Sequence, residues 1–183
     1  PRIGAIKESG IPAVLLGSPS DSQEVDVVDS NFEQAAVSLV AWLRDSGHRS
    51  VLFIGWPESV YARNLNYAVR FRKSLMEACE AARIQVSAIY AHDVTLGASE
   101  VIQRALRDCP FATAMIIHND AAVVGAPQAF ERMGVHVPED LSVVTIVPEQ
   151  LGEGMQIPFD SVRVDVDMVA SRTVDRLIER IGN

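Results

Sequence analysis

Short apolar runs rich in β-branched residues alternate along the chain with longer amphipathic stretches. Ile11-Pro12-Ala13-Val14-Leu15-Leu16, Ser50-Val51-Leu52-Phe53-Ile54, Val86-Ser87-Ala88-Ile89-Tyr90, Ala114-Met115-Ile116-Ile117 and Leu141-Ser142-Val143-Val144-Thr145-Ile146 each read as a strand. Runs that are apolar throughout, not at every second residue, suit parallel strands covered on both faces. Between them, 32–46 carries Ala36, Leu39, Val40 and Leu43 at the spacing of one helical face and stops at Gly47. The stretch 62–82 places Leu65, Val69, Leu75, Met76 and Cys79 likewise. Further helices are expected over 97–107, 120–133 (ended by Gly134) and 166–181. The regular strand–helix order predicts an α/β fold with right-handed βαβ crossovers and a parallel sheet. Ligands of such sheets bind beyond the carboxyl ends of the strands, so the residues just after each strand carry the functional interest.

Two stretches interrupt the alternation. Residues 17–30 are polar, acidic and rich in Ser, and 147–160 contains Pro148, Gly152, Gly154 and Pro158. Both read as long connections between lobes rather than tight βα turns. No internal repeat or low-complexity tract is present in the sequence.

Composition narrows the function class. At 183 residues, 48% hydrophobic and 22% charged, the chain is globular and large enough to bury a core without disulfides. Its net charge of −8 argues against the chain itself gripping nucleic acid or an anionic membrane. Two cysteines make no disulfide framework and point to a reducing, cytoplasmic setting. No apolar run reaches membrane-spanning length. The chain opens at Pro1 without an initiator Met, so a segment upstream is expected.

The motifs of common chemistries are missing. There is no Gly-rich phosphate loop, no G-x-G-x-x-G, no H-E-x-x-H, no C-x-x-C and no G-x-S-x-G. The histidines, His48, His92, His118 and His136, lack metal-ligand spacing. No metal and no cofactor is expected. Several strand-end residues could instead bind a small molecule. Trp56 follows the second strand, and its indole can cap a sugar ring or another apolar ligand face; a half-buried loop aromatic is the structural alternative. Arg63, expected at the start of the helix over 62–82, offers forked donors to hydroxyls or carboxylates. His92 and Asp93 follow the strand ending at Tyr90, and His92 could stack on or donate to a ligand. In His118-Asn119-Asp120, Asn119 or Asp120 can cap the next helix, and Asn119 can present its amide to a ligand hydroxyl. Asp165 and Asp167 alternate along an extended stretch, and Asp167 can cap the last helix.

In order along the chain, these pieces resemble the effector-binding region of the LacI/GalR family of bacterial transcription regulators. Ser46-Gly47-His48-Arg49-Ser50-Val51-Leu52-Phe53-Ile54-Gly55 is similar to that family's helix-end, G-H-R and strand signature. Ala62-Arg63 resembles its A-R step, and Asn119-Asp120 with Ala122 and Gly125-Ala126 its N-D-x-x-A-x-G-A helix start. Gly134-Val135-His136-Val137-Pro138-Glu139-Asp140-Leu141-Ser142-Val143-Val144 resembles its G-x-x-V-P-x-D-[IL]-S-V-V run. The likeness extends from about Ile11 to Ile181.

The resemblance implies a two-lobed, periplasmic-binding-protein-like type I fold with a ligand cleft between the lobes. Residues 31–148 are then one nearly complete lobe, and 1–30 with 149–183 parts of the other. The family's helix-turn-helix headpiece falls outside this chain. The implied protein is a homodimer that binds a sugar or related metabolite and adjusts its grip on operator DNA through the headpiece; it is not an enzyme. Carried over residue by residue, Arg63 matches an effector-contacting arginine and Asn119 a pocket asparagine. His92 falls where an aromatic commonly stacks. Ser59 and Tyr61 lie in the loop before Arg63, and Ser30 and Val166 at crossovers that wall the cleft. Val147 takes the place of the sugar-binding aspartate of a G-[FY]-D-[DN] turn. Asn31 stands for a usual aspartate, and Ala35 and Ala68 for glycines. Loss of the aspartate favours a less hydroxylated or more apolar effector, unless Glu149 substitutes. Two other classes remain open at this point. One is a transport-linked solute-binding protein of the same fold. The other is an α/β enzyme or phospho-receiver with Asp120 as acceptor, although Gly17-Ser18-Pro19-Ser20 supplies none of the acidic residues a receiver needs there.

Overall fold

The computed structural model of the chain describes residues 2–19, 25–90, 97–148 and 159–182. The chain divides into two compact units, 1–31 with 165–183, and 32–164.

The larger unit is built on a parallel sheet of β3 (Ser50–Gly55), β4 (Gln85–Tyr90), β5 (Ala114–Ile117), β6 (Ser142–Pro148) and β7 (Asp160–Val164), in the order β4-β3-β5-β6-β7. Its helices are α2 (Phe32–Asp45), α3 (Glu58–Ala62), α4 (Asn66–Ala82), α5 (Ala98–Asp108) and α6 (Asp120–Met133). Alternation along the strands sends Val51, Phe53, Ala114 and Ile116 to the face that packs Leu39, Leu43, Phe71 and Leu75 of α2 and α4. Leu52, Ile54, Met115 and Ile117 point the other way, against Ile102, Val123 and Phe130 of α5 and α6. Burial on both faces is why these strands read as unbroken apolar runs.

The distribution of helices follows from the crossover rule. The chain steps from β3 to β4 in one direction and then back past β3 to β5. With right-handed crossovers, that reversal puts α4 on one face and α5 and α6 on the other. The reversal leaves a switch point between β3 and β5, where connections leave the sheet on opposite faces and open a crevice at the strands' carboxyl ends. Asp45 ends α2 at Gly47 (φ 88°), where the His48 N–H bonds the Leu43 carbonyl at 2.9 Å.

The smaller unit holds α1 (Arg2–Ser9), β1 (Val14–Leu16), β2 (Asp26–Val28) and α7 (Val166–Gly182). β1 and β2 pair in parallel, Val14 opposite Asp26. Arg176 and Arg180 of α7 both donate to Asp26, at 2.9 and 3.0 Å, and hold its carboxyl below the ordinary range.

Four expectations change. The stretch 17–30 contains β2, whose single Asp among valines masked a strand. The larger unit ends at Val164 rather than 148, because β7 adds to its sheet with Val144 opposite Asp160. The helix expected over 62–82 is two helices, with Asn64 in the left-handed region (φ 53°) between them. Asp165, not Asp167, caps α7, its carboxylate accepting the Met168 N–H at 2.8 Å; Asp167 already lies in the first turn. No described helix is long and apolar enough to cross a membrane.

Candidate functional site

The β3/β5 register sets Ile54 opposite Ile117, and the His118 N–H continues the ladder to the Ile54 carbonyl at 2.9 Å. The residues that follow, Trp56 from β3 and His118-Asn119 from β5, therefore emerge side by side at the switch point. Trp56 and His118 meet edge to face, ring centroids 6.0 Å apart. Phe71 of α4 packs edge-on against the same imidazole at 4.6 Å, and Tyr67 and Phe32 complete its surround at 6.3 and 6.4 Å. Burial in this aromatic set pushes the His118 pKa down to about 3, so the ring is neutral at ordinary pH.

Asn119 is the N-cap of α6. Its Oδ1 accepts the Ala122 N–H at 3.0 Å, so its Nδ2 is the end left over. That Nδ2, the Trp56 Nε1 and the His118 Nδ1 are buried and, among the described residues, have no hydrogen-bond partner. A buried polar group left unpaired costs about 1–3 kcal/mol. Three at one sheet end are an uncommon concentration, and such groups call for an explanation in function or strain.

Tyr61 works behind this site rather than in it. Its ring is buried, stacked edge-on with Tyr90 at 5.4 Å and covered by the Arg72 guanidinium at 3.8 Å. Its hydroxyl accepts the Trp56 backbone N–H at 3.2 Å. Burial raises that hydroxyl's pKa to about 12. Gly55 permits the arrangement, since a Cβ there would lie 2.8 Å from both the Tyr61 Oη and the Tyr90 Cδ1. The segment entering Trp56 is thus clamped by an aromatic pair.

Arg63 is exposed and caps the C-terminus of α3, its N–H on the Ser59 carbonyl at 3.1 Å. It does not begin the helix expected over 62–82 but closes α3, an end at which a cation is favourable. Its charge still belongs to this neighbourhood. The Tyr67 hydroxyl, raised chiefly by burial, is pushed further up by Asp120 and down by Arg63. Asp120 begins α6 with its side chain exposed, and desolvation by the protein around it raises its carboxyl. Ser59 is exposed on α3.

Ser30 and Val166 belong to the smaller unit; the Ser30 N–H bonds Asp29 at 2.8 Å, and Val166 opens α7. Val147 lies in β6 in register with Arg163, and its side chain lies outside the described residues. His92, Asp93 and Glu149 also lie outside them. The structure therefore groups Trp56, Arg63 and Asn119 with three residues not singled out from sequence as ligand contacts: His118, Tyr67 and Asp120. His118 carried a usable signal, a polar residue closing an apolar strand. Tyr67 carried none, because its helical position resembles any core aromatic. Among the described residues no group of His, Cys, Asp and Glu is arranged to hold a metal. The site as built offers hydrogen bonds and aromatic surface.

A model of the periplasmic binding protein-like domain matches residues 40–183. The chain belongs to that family. Catabolite control protein A of Priestia megaterium is 25% identical over 196 residues, covering 98% of this chain and 58% of that protein. A LacI-family transcriptional regulator from Enterococcus faecium, solved with bound ribose, superposes with a TM-score of 0.79 at 18% identity, over 97% of this chain and 65% of that one. A dimeric Lac repressor superposes with a TM-score of 0.80 at 22% identity, over 96% and 64%. The resemblance to LacI/GalR effector-binding regions is thereby met, and with it the α/β fold with parallel sheets. The two solved relatives are a LacI-family transcriptional regulator and a Lac repressor. The chain spans about half the length of the curated relatives it matches.

Proposed function

We propose that this chain is the effector-sensing region of a cytoplasmic, homodimeric DNA-binding transcription regulator. It binds a small metabolite, a sugar or a related molecule, at the carboxyl ends of β3 and β5. Binding changes operator affinity through a headpiece carried elsewhere in the longer protein. The observation that carries this reading is the cluster of unpaired buried polar atoms on Trp56, His118 and Asn119 at the switch point. The relatives support it: one is a regulator solved with a sugar, and another is a dimer. Regulation requires only that the effector favour one state of the protein over the other, by about 1–3 kcal/mol. The acidic balance of the chain agrees with DNA contact lying outside it.

The test is a metabolite screen against the intact protein by calorimetry, paired with operator binding by fluorescence anisotropy. A binder that also shifts operator affinity is the expected result. Arg63→Ala should then weaken that binder by about 1.5–3 kcal/mol, the range for a hydrogen bond to a charged group, with unchanged thermal stability because the side chain is exposed. Unchanged affinity removes Arg63 from the site. A binder that leaves operator affinity untouched in a dimeric, DNA-competent protein overturns the regulatory reading.

A further inference from the structure

Two of the three unpaired atoms share a chemical sense, and it bears on what the site takes. The indole Nε1 of Trp56 can only donate. The Nδ2 of Asn119 can only donate, because the oxygen of the same amide is committed to the α6 cap. Both are buried without a partner among the described residues. The neutral His118 beside them can supply an Nδ1–H or a lone pair, as its tautomer dictates. Among the described residues, acceptors in this neighbourhood are Asp120, at the exposed start of α6, and the Tyr67 hydroxyl, which feels the Asp120 charge. Arg63 adds further donors there. Donors at the strand ends and a carboxylate at the rim describe a polarised site. A hydroxyl array, which needs an acceptor for each proton it offers, matches that distribution poorly.

We infer that the ligand presents an sp² oxygen, of a carboxylate or a carbonyl, to Trp56 Nε1 and Asn119 Nδ2, with its hydroxylated or polar end toward Asp120. This rests on the effector-binding reading above and deepens it, since it replaces a neutral sugar by an oxygen-acceptor class such as a sugar acid. A site built to satisfy two buried donors discriminates against analogues that leave them unpaired.

Minimal fragments test the donors without a chosen scaffold. Intact protein labelled with ¹⁵N at tryptophan and asparagine is titrated with acetate, acetamide and ethanol, each against equal sodium chloride. Acetate or acetamide should shift the Trp56 indole and Asn119 amide signals saturably, with ethanol about tenfold weaker or worse. The Trp42 indole, on the exposed side of α2, should stay in place as the internal reference. Acetate ahead of acetamide assigns the class to carboxylates; equality assigns it to carbonyls. Asn119→Asp keeps an oxygen for the cap and removes the donor, so the fold should stand while the acetate response at Trp56 weakens about tenfold. Ethanol acting as strongly as acetate, or no fragment moving either signal, overturns the assignment. A neutral sugar that binds and shifts operator affinity while both signals stay put leaves the effector reading intact and removes this one. Acetate moving both signals in a protein whose operator affinity no metabolite alters does the reverse.

Discussion

α4 and α7 are both 17 residues long and both amphipathic, yet they end in different environments. α4 buries Ala68, Phe71, Leu75 and Cys79 between α2 and the five-stranded sheet. α7 buries no residue; Val169, Thr173 and Leu177 are partly covered, while Val174, Ile178 and Ile181 are 55%, 62% and 66% exposed. The difference lies in what each helix meets. A helix stripe needs a broad apolar surface to leave water, and β1 and β2 offer three residues each. Apolar periodicity therefore states which face seeks cover, and the neighbouring layer decides whether cover is found.

The strongest way to sharpen that comparison is Phe71→Ala. Its ring is fully buried, against Phe53 and His118, so denaturant unfolding of the larger unit should lose about 3–5 kcal/mol. A loss under 1 kcal/mol would mean that α4 is no better packed than α7.

Acid should find the larger unit next, through His118. Its folded pKa of about 3 lies below the usual imidazole value of 6.5, because burial disfavours the charged ring. Between those values the unfolded chain binds a proton that the folded chain refuses, so stability falls as pH falls. From pH 7 to pH 5 the loss should be about 2 kcal/mol, read from denaturation curves at both values. His118→Asn should flatten that dependence. His48, also depressed by burial, contributes with the same sign and is present in both proteins. Carboxyls held low by their partners, Glu33 by Arg70 and Asp140 by the His136 N–H, act only at lower pH.

Asn119→Ala should remove the α6 cap and cost about 1 kcal/mol in thermal unfolding. If it lowers stability while effector affinity is untouched, Asn119 is a cap and nothing more. The smallest effect belongs to the other side of the comparison. In residues 1–183 taken alone, Ile178→Ala on α7 should change stability by no more than about 0.5 kcal/mol, as for an exposed position. A loss of about 2 kcal/mol in the same measurement would show that face covered in solution and erase the contrast with α4.

Much of the sheet was legible because full burial writes itself as continuous apolar runs. Residues 50–54 and 114–117 read as strands for that reason, and the helix-end glycines Gly47 and Gly134 marked their turns. β2 and β7 escaped because they are short and carry polar residues, Asp26 in one and Asp160, Ser161 and Arg163 in the other. The break at Asn64 escaped because Ala62 to Ala82 keeps a helical rhythm across it. Within the site, Trp56 and Asn119 were accessible as residues that directly follow strands. Tyr61 was accessible too, but as a ligand contact; its place under Trp56 depends on the close approach at Gly55, a distance that spacing along the chain does not encode.

The sequence by itself determined the α/β class, the order of most elements, the family resemblance and the short roster of strand-end candidates. Each follows from local periodicity, turn chemistry or motif order, all properties of neighbours along the chain. Tertiary structure alone decided that β5 lies beside β3, which makes their ends one place. It also decided that His118 is neutral within four aromatic rings, and that the Asn119 amide spends its oxygen on α6 and keeps its Nδ2 unpaired. Those outcomes depend on strand order and desolvation, which arise between segments distant in the chain.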